Sequence, residues 1–180
     1  MADVRVALLR GINVGRAKRV AMAELRAVVT DLGYRDVRTL LNSGNVVFTV
    51  PGAIRGDAAS RIEKAVEARL GVSSRVTVLT AAEVAEAVLE NPLSKVADNP
   101  SRLLCMILTD PATRTQLTPF LKERWAPEAL ALGRRVAYVW CPQGSIDSPL
   151  MAALSRAVGD GGTARNMATM TKLHALTGGQ

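Results

Sequence analysis

A chain of 180 residues with 48% hydrophobic and 22% charged content holds enough apolar material for one domain or two small ones. With only 3% aromatics, its core must be built from Leu, Val, Ala and Met. No apolar run approaches the roughly 18 residues of a membrane span, and Met1 to Leu9 lacks the basic stretch and long apolar run of a secretory signal. The net charge of +7 is uneven, with 13 Lys/Arg against 7 Asp/Glu in residues 1–80 and 10 against 9 in residues 81–180.

Val4 to Leu9 (VRVALL) reads as a strand, followed by a loop from Arg10 to Arg19. Met22, Leu25, Val28, Val29 and Leu32 recur at helical spacing, and Gly33 supplies a left-handed stop. Asp36 to Leu41 and Asn45 to Val50 are short β-rich runs joined through Ser43-Gly44, which is hairpin chemistry. A second helix starts near Asp57, with Ile62, Val66 and Leu70 on one face and Gly71 as its end, and Arg75 to Leu79 is a fourth strand. The order is βαββαβ, a ferredoxin-like unit.

The second half repeats this order after a connecting helix that begins at Thr80, with Thr80 and Glu83 as a capping box, and ends before Pro92. Leu103 to Leu108 is a short apolar strand, and Thr113 to Arg124 is a helix candidate disturbed by Pro119. Ala129 to Leu132 and Arg135 to Trp140 form a strand pair turning at Gly133. Ser148-Pro149 starts a helix, with Ser as N-cap and Pro at the first helical position. Thr163 to Arg165 is a short last strand and Met167 to Leu176 a closing helix. The expected fold class is therefore α+β: two ferredoxin-like βαββαβ subdomains, residues 1–80 and 81–180, with mostly antiparallel sheets packed into one compact body.

In such a unit the first two strands run parallel, so the loop after the first and the hairpin after the second leave the sheet at the same end. Here those segments carry Arg10, Gly11, Asn13, Gly15, Arg16, Lys18 and Arg19 on one side and Ser43, Gly44 and Asn45 on the other. No acid occurs between Val4 and Ala23, and the next helix adds its N-terminal amides, so the edge favours anions. The loop is neither a Rossmann fingerprint nor a P-loop, since Gly11 and Gly15 stand four apart with no Gly-Lys-Ser/Thr behind them.

The stretches LLRGINVG (Leu8 to Gly15), RVAMAEL (Arg19 to Leu25), LNSGNVVF (Leu41 to Phe48) and TARNMATMTKL (Thr163 to Leu173) resemble a bacterial family of proteins of unknown function, DUF1697. The resemblance implies a pair of ferredoxin-like subdomains and no defined activity. Its motif positions correspond to Arg10, Gly11, Asn13, Val14, Gly15, Ser43, Gly44, Asn45, Thr163, Arg165, Asn166, Thr171 and Lys172. The chain departs from the family's pattern at Arg16, where Gly is usual, at Ala21, where Pro is usual, and at Met167, where Trp is usual. Thr163, Arg165 and Asn166 form a second cluster, suited either to a shared site or to a hydrogen-bond network joining the halves.

Catalytic constellations are weak. His174, the only histidine, falls on the last helix near a terminus expected to fray, where a solvated or capping role fits best. One histidine and two separated cysteines exclude an ordinary His/Cys zinc site, and no cofactor motif is present. Cys105 and Cys141 lie in apolar runs and read as buried reduced thiols, which gives a cytoplasmic address. No carboxylate pair is arranged as acid and base, and Ser43 has no identifiable base. The leading expectation is a binding protein for a phosphate- or carboxylate-bearing ligand at the edge of the 10–19 loop and the 42–45 hairpin. Its alternatives are an enzyme acting on a small phosphorylated or carboxylated metabolite and an RNA or DNA backbone binder. The aromatic platform that stacks single-stranded bases is missing from the central strands, and no membrane partner is expected.

Overall fold

The computed structural model describes residues 2–179, which form two compact units. The first runs to Ala82 and takes in the chain from Ala175 onward, and the second is Glu83–His174. No helix among the described residues is long and apolar enough to cross a membrane.

The first unit contains β1 (Asp3–Leu9), α1 (Met22–Asp31), β2 (Arg35–Leu40), β3 (Asn45–Val50), α2 (Ala58–Leu70) and β4 (Val76–Thr80). The strands lie in the order β2-β3-β1-β4 with every neighbouring pair antiparallel. Alternation decides what each strand buries. Ala7 and Leu9 of β1 join Val46 and Phe48 of β3 in a core with Leu25, Val28 and Val29 of α1 and Ile62 and Val66 of α2. The intervening residues Val6, Leu8 and Val47 are buried as well, so β1 and β3 read as continuous apolar runs instead of alternating ones. Helix α2 begins at Asp57, whose carboxylate accepts the Ser60 N–H, and ends at Gly71 in the left-handed conformation. On the edge strand β2, Asp36 has φ of 50° and the register to β3 shifts between Arg35 and Arg38, a β-bulge.

Helix α3 (Ala81–Leu89) leads into the second unit, which holds β5 (Leu103–Leu108), a single turn α4 (Arg114–Leu117), β6 (Ala129–Leu132), β7 (Val136–Trp140), α5 (Pro149–Val158), β8 (Gly162–Asn166) and α6 (Met167–Leu176). Its sheet order, β6-β7-β5-β8, repeats that of the first unit, again wholly antiparallel. Both units are ferredoxin-like. Ser148 caps α5 by accepting the Met151 N–H, with Pro149 at the first helical position. Helix α3 is tied to the sheet by Tyr138, whose hydroxyl donates to the Ala87 carbonyl at 2.7 Å. Arg135 donates to both Glu83 carboxylate oxygens at 3.0 Å.

Two expectations need correction. Residues 113–124 do not form one helix: 3₁₀ turns at Pro111–Thr113 and Thr118–Lys122 flank the single turn α4. Pro119 has no N–H to donate and its ring crowds the preceding turn, so the α-helix stops there. His174 is buried instead of solvated: α6 continues through it to Leu176, and His174 lies on its buried face with Met170 and Leu173.

Two outcomes follow for the packed interior. Tyr138→Phe should cost about 1–3 kcal/mol in urea unfolding, because it strands a buried carbonyl, whereas Tyr34→Phe should be nearly neutral. The Tyr34 hydroxyl is buried with no hydrogen-bond partner among the described residues. Burial pushes the Cys105 thiol up to about 12 and that of Cys141 to about 11. Both therefore stay protonated at pH 8, and a thiol-specific disulfide reagent should label neither until denaturant is added.

Candidate functional site

Strand β1 delivers the chain at Leu9 to the same end of the sheet as β2 does at Leu40, since β3 lies antiparallel to both. The loop that follows β1 turns through left-handed residues at alternate positions, Gly11 (φ 68°), Asn13 (φ 55°) and Gly15 (φ 62°). Asparagine is one of the few side chains that enters this region readily, because its short amide bonds locally. Here the Asn13 Oδ1 accepts the Val20 N–H at 2.8 Å, and Nδ2 donates to the Val20 carbonyl at 2.8 Å and to the Asn42 carbonyl at 2.7 Å. One carboxamide thus closes its own loop and fastens it to the next one.

The β2–β3 turn is built to receive that loop. Gly44 has φ of 87°, and a Cβ on it would stand 2.7 Å from Ile12 Cδ1 and 2.9 Å from Leu9 Cβ, so only glycine lets Ile12 seat against it. The Gly44 carbonyl accepts the Leu9 N–H at 2.9 Å. Asn45 is wholly buried, its Nδ2 donating to the Leu40 carbonyl and to Ser43 Oγ, both at 2.8 Å. Asn13, Ser43, Gly44 and Asn45 accordingly spend the interactions described here on shaping two loops into one rim.

What projects from the rim is cationic. Arg10, Arg16, Lys18 and Arg19 are exposed, and Arg16, Lys18 and Arg19 pair with no carboxylate among the described residues. The backbone N–H groups of Gly11, Val14, Gly15 and Arg16 have no protein acceptor among those residues either. Helix α1 adds uncapped amides, because Ala21 at its N-cap has no side chain that could take them.

The cluster of Thr163, Arg165 and Asn166 belongs to the second unit, on β8. Asn166 Oδ1 accepts the Thr169 N–H at 2.9 Å and so caps α6. Arg165 is buried, donates to the Ala164 carbonyl, and is pulled down to about 10 by desolvation, which leaves it charged at neutral pH. Thr163 Oγ1 is buried without a partner among the described residues.

Two hollows escaped the sequence reading. One, of about 290 Å³, lies in the second unit between Trp125, Glu128, Gln143 and Asp147. There Glu128 accepts from the Ser148 hydroxyl and, at 3.2 Å, from the Leu150 N–H, and so helps cap α5. The other, of about 480 Å³, lies in the first unit among Arg5, Tyr34, Val50 and Arg55. Nothing in the sequence announces either, because the lining residues come from separate elements at no fixed spacing.

Replacing Asn13 with Ala removes three hydrogen bonds at once and should destabilise the protein by about 1–3 kcal/mol. Amide exchange should then quicken at Val20, whose N–H loses its acceptor. The exposed neighbour Val14→Ser should leave both readings within about 0.5 kcal/mol of wild type.

Comparison with known families matches residues 2–138 to a family described as a protein of unknown function, DUF1697. The matched stretch takes in both rim loops and ends within β7, so the β8 cluster lies beyond it. Among solved structures, the chain is similar to a conserved bacterial protein from Streptococcus pneumoniae, with 24% sequence identity and a TM-score of 0.73. The similarity covers 98% of this chain and 99% of that one and shows a shared fold. No curated protein matches the sequence. The whole of the first unit's sheet and both rim loops lie within the matched residues, and the chain belongs to the DUF1697 family.

Proposed function

We propose that the rim formed by residues 10–19 and 42–45 binds a phosphate-bearing ligand. The observation that carries this reading is a coincidence of two donor sets on one pinned loop. Arg16, Lys18 and Arg19 have no acidic partner among the described residues, and the amides of Gly11, Val14, Gly15 and Arg16 have no acceptor there. Successive N–H groups in a chain of alternating hand converge on an anion as a nest does, and flanking cations raise its local concentration.

The side chains divide the labour. Arg10, Arg16, Lys18 and Arg19 supply charge, while Asn13, Ser43, Gly44 and Asn45 hold the backbone that presents it. Three cations without a carboxylate partner among the described residues, Arg16, Lys18 and Arg19, suit a multiply charged phosphate better than a single carboxylate. Val14 is the large hydrophobic exposed on these segments, and the segments carry no aromatic side chain, which argues against stacking of single-stranded bases.

The test is calorimetric titration of the intact protein with pyrophosphate, a nucleoside diphosphate and a short RNA duplex. Pyrophosphate or the nucleotide should bind saturably and lose at least about tenfold in affinity in the R16Q/K18Q/R19Q variant, a loss of about 1.4 kcal/mol. Binding that is unchanged in that variant, or confined to the duplex with a steep salt dependence, would overturn the reading.

A further inference from the structure

The tip of the rim stands out from the first unit. Every residue from Val14 to Arg19 is exposed, and so are Arg10, Gly11 and residues 41–43. A Cβ built on Gly11 or Gly15 would meet nothing within 4 Å, so both turns are open to solvent on that side. Small molecules are held by enclosure, which a projecting tip does not offer. A broad, flat partner needs none.

Two apolar side chains crown the same loops. Val14 is 71% exposed and Leu41 52%, and neither joins the core of the unit. The Asn13 side chain donates to the Asn42 carbonyl at 2.7 Å, and each apolar residue is next in sequence to one of these partners. Leu41 has φ of 58° and exposed Lys18 has φ of 50°. Glycine or asparagine adopts that left-handed backbone at little cost, whereas leucine and lysine are strained in it. Neither backbone geometry nor core packing accounts for a leucine at position 41. What the side chain offers is apolar surface facing water.

Charge surrounds these tips. Residues 10–19 and 41–45 hold Arg10, Arg16, Lys18 and Arg19 and no acid. The acids nearest in sequence, Glu24 and Asp36, pair with no cation among the described residues. Arg75, which the sequence reading left out of the site, is exposed, and its carbonyl accepts the Arg10 N–H at 2.9 Å. Cations around projecting aliphatic side chains match a surface that places phosphates outermost and hydrocarbon just beneath. No helix among the described residues is long and apolar enough to cross a membrane, and contact of this kind needs no span.

Resting on the phosphate reading of the rim, we propose that its ligand is the surface of a membrane containing anionic phospholipid. Arg16, Lys18, Arg19 and the amides of Val14, Gly15 and Arg16 meet lipid phosphates. Val14 and Leu41 enter the boundary between headgroups and acyl chains.

The test is sedimentation of the intact protein with vesicles of equal parts phosphatidylcholine and phosphatidylglycerol, and with vesicles of phosphatidylcholine alone. The protein should partition onto the mixed vesicles, less as salt rises, and stay in solution with the neutral ones. Partitioning should fall at least about tenfold in R16Q/K18Q/R19Q and at least about fivefold in V14S/L41N. Both variants should melt no lower than the wild type, since the substituted side chains are exposed. V14S/L41N should bind pyrophosphate as the wild type does, which separates the apolar contact from the phosphate contact. Pyrophosphate binding without partitioning onto mixed vesicles would overturn this proposal and leave the phosphate reading standing, whereas failure of both would overturn the two together. Equal partitioning onto neutral vesicles, or undiminished partitioning of V14S/L41N, would also overturn it.

Discussion

The Asn13 carboxamide is the interaction on which the rim depends. Its three hydrogen bonds join the two ends of the 13–20 loop and bridge to the Asn42 carbonyl across 29 residues of chain. Each such bond contributes only about 0.5–1.5 kcal/mol net, but together they replace a floppy cationic loop by one whose left-handed backbone is held in place. Gly44 and buried Asn45 complete the fastening from the hairpin side, so the scaffold of the rim is polar and local while its outward surface is basic.

The same architecture is used twice with different fittings. In the first unit a ten-residue helix, α1, crosses from β1 to β2. In the second the crossover from β5 to β6 is made of 3₁₀ turns around a single α-turn, with Leu117 buried and Trp125 Nε1 donating to the Phe120 carbonyl at 2.8 Å. A sheet of the same strand order tolerates either crossover because both cover the same face with apolar side chains.

Elements with strong periodicity were legible from residues alone: α2 between Asp57 and Gly71, α5 behind Ser148-Pro149, and the Asn45–Val50 strand. The convergence of the two loops was legible too, because topology imposes it once the strand order is known. The division of roles inside the rim was hidden. Asn13 and Arg16 look equally suited to a ligand on paper, and only the fold shows that the first is consumed by backbone groups at positions 20 and 42. His174 misled for a related reason, since nearness to a terminus says nothing about burial when the last helix docks. Tyr34 was invisible as anything but packing, because an orphaned hydroxyl is a property of its surroundings and not of its spacing.

The bulge on β2 has a consequence beyond local shape. The first unit's sheet ends on that strand, and an exposed strand edge is a template for another chain's backbone. Here the ladder is broken between Arg35 and Arg38, Asp36 twists through a positive φ, and Arg38 is drawn aside to the Leu176 carbonyl at 2.7 Å. A run of matched amides and carbonyls long enough to seed intermolecular pairing is never presented along this border. The Val-rich strands behind it are thereby shielded from fibril-like stacking by a kink one residue long.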